Sequence, residues 1–176
     1  MSDSFQTLGC VTAVPGYFKA MKKVCERYGA LFILDEVMSG MGRTGTLHAW
    51  EVEDVVPDLQ TVAKGLGGGY VPIGALLIHK KIVDVLSRGT AAFSHSQTYQ
   101  AHPVACAAAL AVQRIIKNND LLANVRGVGP ELGKRLEERL GCHKHVGDIR
   151  GRGLFWAVRY LLSVPLLLDS TETTKL

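Results

Sequence analysis

The sequence predicts an α/β fold of three layers, with helices on both faces of a parallel sheet, and three observations carry that reading. Segments at helical spacing alternate with short apolar runs of strand length. The run "ALFILD", residues 30–35, is apolar on both faces until its last residue, as a strand covered on both sides would be. Residues 102–119 are rich in alanine, the composition of a helix that packs closely. At 176 residues the chain can form one domain with a real core, since a domain of about 150 residues buries roughly 70% of its unfolded surface.

The elements follow in order. Residues 16–28, "GYFKAMKKVCERY", set Phe18, Met21, Val24, Cys25 and Tyr28 at helical spacing with charges opposite, and Gly29 follows as a stop. "ALFILD" is the first clear strand, and "TLHAWEVEDVVPD" after it makes a poor long helix. Further strands fall at 59–63, "LQTVA", and 73–78, "IGALLI", with "KKIVDVLSR" as a short helix behind them. In "HPVACAAALAVQRIIKNN" Pro103 sits near the first turn and Asn118 and Asn119 near the end, where a helix tolerates them. "PELGKRLEERLG" is a helix that stops at Gly141, and the strand-like "LFWAVRYLL" follows "VGDIRGRG".

Composition excludes several function classes. The net charge is +4, and lysine and arginine are scattered without interleaved aromatics, which argues against nucleic-acid binding. Cys10, Cys25, Cys106 and Cys142 lie far apart with no C-x-x-C spacing, as free thiols in a reducing compartment would. His143 and His145 beside Cys142 lack a second ligand pair, so no metal is expected. Met1 is followed by the polar "SDSFQT", without the basic start and apolar core of a signal peptide, and the expected compartment is the cytoplasm. "LLSVPLLL" is broken by Pro165 and is shorter than the ~20 residues a membrane span requires.

The chemistry concentrates where strands end. "GMGRTG", residues 40–45, fits the G-x-G-x-x-G string of dinucleotide folds but not its context, because Asp35 and Glu36 would bring negative charge to a pyrophosphate and no long helix follows. "AKGLGGG", residues 63–69, has its lysine before the glycines and no following Ser or Thr, so it is not a nucleotide loop. Taken alone, Lys64 reads as a side chain snorkelling to the surface and Asp35 as charge at a sheet edge. Together they end successive strands, where ligands of open α/β sheets sit. A cofactor with an aldehyde at one end and a basic ring nitrogen at the other would use both, and pyridoxal phosphate is such a molecule.

Three ordered motifs, "LFILDEV…GRTG", "PDLQTVAKGLGGGYVPIGALL" and "SQTYQAHPVACAAAL", resemble the class III pyridoxal-phosphate-dependent aminotransferases, with likeness from about Gly9 to Trp156. The resemblance implies the aspartate aminotransferase-like fold and a homodimer. Asp35 matches the aspartate that pairs with the pyridine nitrogen, Val37 the residue on one ring face, and Lys64 the Schiff-base lysine. Thr98 matches the threonine that reaches the cofactor phosphate of the neighbouring subunit. The reaction implied moves an amino group from an amine or omega-amino acid to a keto acid, with Lys64 carrying a proton while neutral and Asp35 remaining ionised. Desolvation and nearby positive charge would favour the neutral lysine. In a dry site a charge-assisted hydrogen bond from the ring would hold Asp35 with roughly 1.5–3 kcal/mol.

Members of this family are generally more than twice as long. The expectation is therefore a chain lacking the N-terminal part of the major domain, with its phosphate cup and stacking aromatic. Met38 stands where many members carry a glutamine. Residues 1–141 are expected to belong to the three-layer α/β/α cofactor domain and 142–160 to begin a small C-terminal domain. Residues 161–176 form an atypical tail, and no counterpart of the arginine for a substrate carboxylate is visible, Arg150 and Arg152 reading as structural. The competing expectation is a non-catalytic fragment of such an enzyme, or a decarboxylase or racemase of the same fold.

Overall fold

Two short strands, β1 (Ser2–Asp3) and β2 (Phe5–Gln6), open the computed structural model, which describes residues 2–3, 5–6 and 10–161. Strand β2 pairs antiparallel with β3 (Val11–Thr12), and helix α1 (Tyr17–Arg27) follows. Its entry turns on Gly16 at φ 83°, and it ends where the Ala30 N–H bonds the Cys25 carbonyl past Gly29. This matches the segment expected from periodicity, with Phe18 as its buried contact.

Strand β4 (Ile33–Asp35) pairs parallel with β1 on one side, and beyond it lies the single turn α2 (Trp50–Glu53). Strand β5 (Leu59–Val62) lies parallel to β4, whereas β6 (Ala75–Ile78) runs antiparallel to β5. The order in the sheet is β1-β4-β5-β6. The expected third parallel strand is thus corrected. A parallel return needs a crossover of a dozen or more residues, usually through a helix. The segment between β5 and β6 holds only a 3-10 turn, Lys64–Gly67, and folds straight back.

Side-chain alternation sets the core. Phe32 and Leu34 point to one face and pack with Phe18 and Val55, with Cys25 and Trp50 at the edge. Leu34 is 1% exposed. On the opposite face Ile33, Asp35, Leu59 and Thr61 are only half-buried, so the strand read as covered on both sides is covered on one by the described residues. Asp58 ties the sheet at its other end. Its Oδ2 accepts the Phe32 N–H at 2.8 Å and its Oδ1 lies 2.6 Å from the Lys81 ammonium.

Three helices follow: α3 (Lys80–Arg88), α4 (Pro103–Asn118) and α5 (Leu121–Leu140). Helix α5 begins nine residues before the expected start at Pro130, which lies inside it. A proline ring disfavours helix in the residue before it mainly through that residue's Cβ, and Gly129 has none. The glycines also admit a hairpin, β7 (Val146–Arg152) with β8 (Phe155–Tyr160). A Cβ at Gly133 would lie 2.2 Å from the Trp156 ring, and one at Gly129 would lie 2.6 Å from the Gly153 carbonyl. Among the described residues no helix is long and apolar enough to cross a membrane. The expected tail lies, from residue 162 on, outside the described residues.

Candidate active site

Asp35 is the last residue of β4, directly opposite Thr61 of β5. The strands hold together past that pair, because the Glu36 N–H donates to the Thr61 carbonyl at 2.9 Å. Asp35 Oδ1 accepts the Val37 N–H at 3.0 Å, which turns the chain and puts Asp35 and Val37 on the half-buried face. Among the described residues the other oxygen, Oδ2, takes no hydrogen bond. Beside it, the Thr61 hydroxyl is buried and has no partner. Burying a hydroxyl unpaired costs roughly 1–3 kcal/mol, so the strand end carries unused polar capacity.

Lys64 stands two residues beyond β5. Ala63 is extended, and Lys64 turns into the left-handed region at φ 44° to start the 3-10 turn. A side chain in that region costs roughly 1–2 kcal/mol, and such strain gathers where a side chain must be aimed. The glycines behind it permit close approach. Gly68 is left-handed at φ 59°, and a Cβ there would lie 2.9 Å from Val112 of α4. Lys64 and Gly65 line an apolar cleft of about 450 Å³ with Met38, Met41, Ile116 and Leu122.

The structure thus brings Asp35 and Lys64 to adjacent strand ends, but on different walls. Neither Asp35 nor Val37 lines the cleft that Lys64 enters. Lys64 is exposed, so the desolvation expected from sequence is not supplied by the described residues. Thr98 is not brought to this place either. It is exposed in the turn before α4, between Gln97 and Tyr99, which line a second cleft of about 690 Å³ with Val71, Ile73 and His102.

Sequence reasoning missed the buried acid. Glu36 is 0% exposed, and its oxygens accept the N–H groups of Ala49 and Trp50, each at 2.8 Å, and the Gln60 amide at 2.9 Å. The signal was present, since Phe32, Leu34 and Glu36 share one strand parity and the first two are core. Burial holds the nearby His48 ring below its ordinary range, against the pull of Glu51. Burial pushes the Cys10 thiol up, opposed by Arg150.

Residues 6–165 match the family profile described as Aminotransferase class-III. The chain belongs to that family. An aminotransferase of Gibberella zeae is 59% identical over 155 residues, covering 88% of this chain and 30% of that protein. Among solved structures, an (S)-enantioselective omega-transaminase from Thermomicrobium roseum aligns with TM-score 0.85 at 39% identity, over 91% of this chain and 36% of that one. The taurine:2-oxoglutarate aminotransferase from Bifidobacterium kashiwanohense, solved with PLP and glutamate, aligns with TM-score 0.82 at 38% identity, over 87% of this chain and 34% of that one. The chain spans about a third of the length of these relatives.

Proposed function

We propose that this chain carries the lysine-bearing part of a pyridoxal-phosphate-dependent aminotransferase site, moving an amino group from an amine or omega-amino acid donor to a keto-acid acceptor. The observation that carries the reading is the placement of Asp35 at the end of β4 and of Lys64 two residues past the end of the adjacent parallel β5, within a chain of the class-III family. The residues present fit the group. Asp35 keeps an oxygen open to a ring N–H, the unpartnered Thr61 hydroxyl lies beside it, and the glycines after Lys64 let another body come close.

When bound, pyridoxal phosphate supplies an aldehyde carbon for the amine and a ring that accepts electrons. Lys64 Nζ would be the nucleophile that holds the cofactor at its aldehyde carbon. Once free and neutral, the same Nζ would accept the proton that leaves the donor carbon in the first half-reaction and would supply one to the acceptor carbon in the second. The Asp35 carboxylate keeps the ring nitrogen protonated, a charge-assisted bond of roughly 1.5–3 kcal/mol where water is excluded. Val37, on the same half-buried face as Asp35, would cover one face of the ring.

In this reading the working unit is a cytoplasmic homodimer, and Thr98 reaches the cofactor phosphate of the neighbouring subunit. Its exposure in the turn before α4 is compatible with that role. Residues 1–141 belong to the cofactor domain and 142–160 begin the smaller one. The test is borohydride reduction in the presence of pyridoxal phosphate, followed by peptide mass mapping. The label is expected at Lys64; label at Lys19 or Lys134 and never at Lys64 would refute the assignment.

A further inference from the structure

On the face of the sheet opposite Asp35, one amide is shared among three partners. Gln60 Nε2 lies 2.9 Å from Glu36 Oε2 and 2.9 Å from His48 Nδ1, while Gln60 Oε1 accepts the Trp50 indole N–H at 3.0 Å. These partners fix the orientation of the amide. An indole N–H only donates, so Oε1 must face Trp50; the two N–H bonds of Nε2 then go to Glu36 and His48. His48 Nδ1 therefore accepts, and the ring is neutral with its proton on Nε2. The ring also lies flat against Trp50, with centroids 5.6 Å apart and planes 8° from parallel.

Gln60 sits in β5 opposite Leu34, and Glu36 follows Asp35. The bridge runs from Gln60, the second residue of β5, to Glu36, the residue that follows β4. Glu36 also receives the N–H groups of Ala49 and Trp50, so the start of α2 is fastened to the same point.

We propose that Gln60 is a positioning residue for the cofactor site, holding the ends of β4 and β5 at the spacing that Asp35 and Lys64 require, and that it does so only while His48 is neutral. The claim rests on the functional reading above and adds to it an acid-sensitive latch. A proton on Nδ1 would turn a donor toward the Gln60 NH2. Rotating the amide to relieve that contact would set Nε2 against the Trp50 N–H and Oε1 against Glu36. Without rotation the Gln60–His48 bond is lost; with it the Gln60–Glu36 bond that joins the two strands is lost. The titratable groups near the ring are Glu36 across the amide and Glu51, whose Oε1 accepts the His48 backbone N–H at 2.8 Å and whose charge acts on the ring through space. Burial opposes the protonated ring and outweighs the attraction of Glu51, in agreement with the hydrogen-bond argument.

The test uses the longest chain that contains this segment. Long-range 1H–15N spectra of His48 without cofactor report tautomer and titration. The Nε2–H form is expected, with a midpoint below the ordinary 6.5. Pyridoxal phosphate affinity is then compared from pH 5 to 8 in the wild type, His48→Asn and Gln60→Leu. Asn keeps an acceptor and cannot titrate, so at pH 5 it should retain affinity about tenfold better than the wild type, whereas Gln60→Leu should bind weakly throughout. An Nδ1–H tautomer, or an ordinary midpoint, overturns the latch. Equal loss of affinity in wild type and His48→Asn as pH falls also overturns the latch, and wild-type affinity in Gln60→Leu at pH 8 overturns the positioning role. If no variant binds at pH 8 although the Nε2–H tautomer is present, the functional reading fails and the positioning role falls with it.

Discussion

Replacing Asp58 by Asn tests the electrostatics of the sheet directly. Its carboxylate is 3% exposed and serves two partners at once, the Phe32 N–H at 2.8 Å and the Lys81 ammonium at 2.6 Å, while the Asp58 carbonyl accepts the His79 N–H at 2.9 Å. Asparagine keeps one acceptor oxygen. If that oxygen remains on Phe32, the amide NH2 faces Lys81, and donor opposes donor. Lys81 is 49% exposed and can swing into water, so no cation is left buried. The loss is one charge-assisted bond and the weakening of another, about 1.5–3 kcal/mol. Burial alone would push the Asp58 carboxyl up. The hydrogen bond from Lys81, the Phe32 N–H and the charges of Lys81 and Lys22 outweigh it, and the group sits below the ordinary 3.8. A folded pKa below the unfolded one gives stability that is complete above the unfolded value and is lost as pH falls through the folded value. Urea denaturation should therefore show a wild-type advantage that is constant from pH 8 to about 5 and closes below about 4. An advantage under about 0.5 kcal/mol at pH 7, the range of an exposed pair, or one unchanged at pH 3, would refute the reasoning.

Two further predictions concern the site and its support. Asp35→Asn is expected to lower aminotransfer in the longest available chain by about a hundredfold or more, measured with an amine donor and a keto acid. If most of the rate survived, the ring-nitrogen role would leave Asp35, and Glu36 could not inherit it because Ala49, Trp50 and Gln60 already bond its oxygens. Gly133→Ala sets a helix gain of about 1 kcal/mol against overpacking of about 1–3 kcal/mol, since the new Cβ would fall 2.2 Å from Trp156. A lowered melting temperature is expected, and a raised one would mean that Trp156 moves aside freely.

What could be read in advance depended on how local each cause is. The helix at Tyr17–Arg27 and the strands around Leu34 and Gln60 follow from periodicity and glycine stops, and both were legible. The strand end bearing Asp35 and the lysine after β5 were legible for a different reason, since their order along the chain places them on neighbouring strands. The direction of β6 was not, because it depends on how a segment with one 3-10 turn folds back, and apolar content carries no sign for direction. Helix α5 hid its first nine residues behind Pro130, a residue that ordinarily marks a start. The Gln60 latch was least legible of all. Its members lie at 36, 48, 50 and 60 in sequence and meet only because the chain from Glu36 loops back under its own strand. Asp35 and Glu36 look equivalent as a pair of adjacent carboxylates, yet strand parity sends one toward the open face and the other into the core. The acid that is free to meet a ligand is therefore the half-buried one, and the fully buried acid serves by holding the strand that presents it.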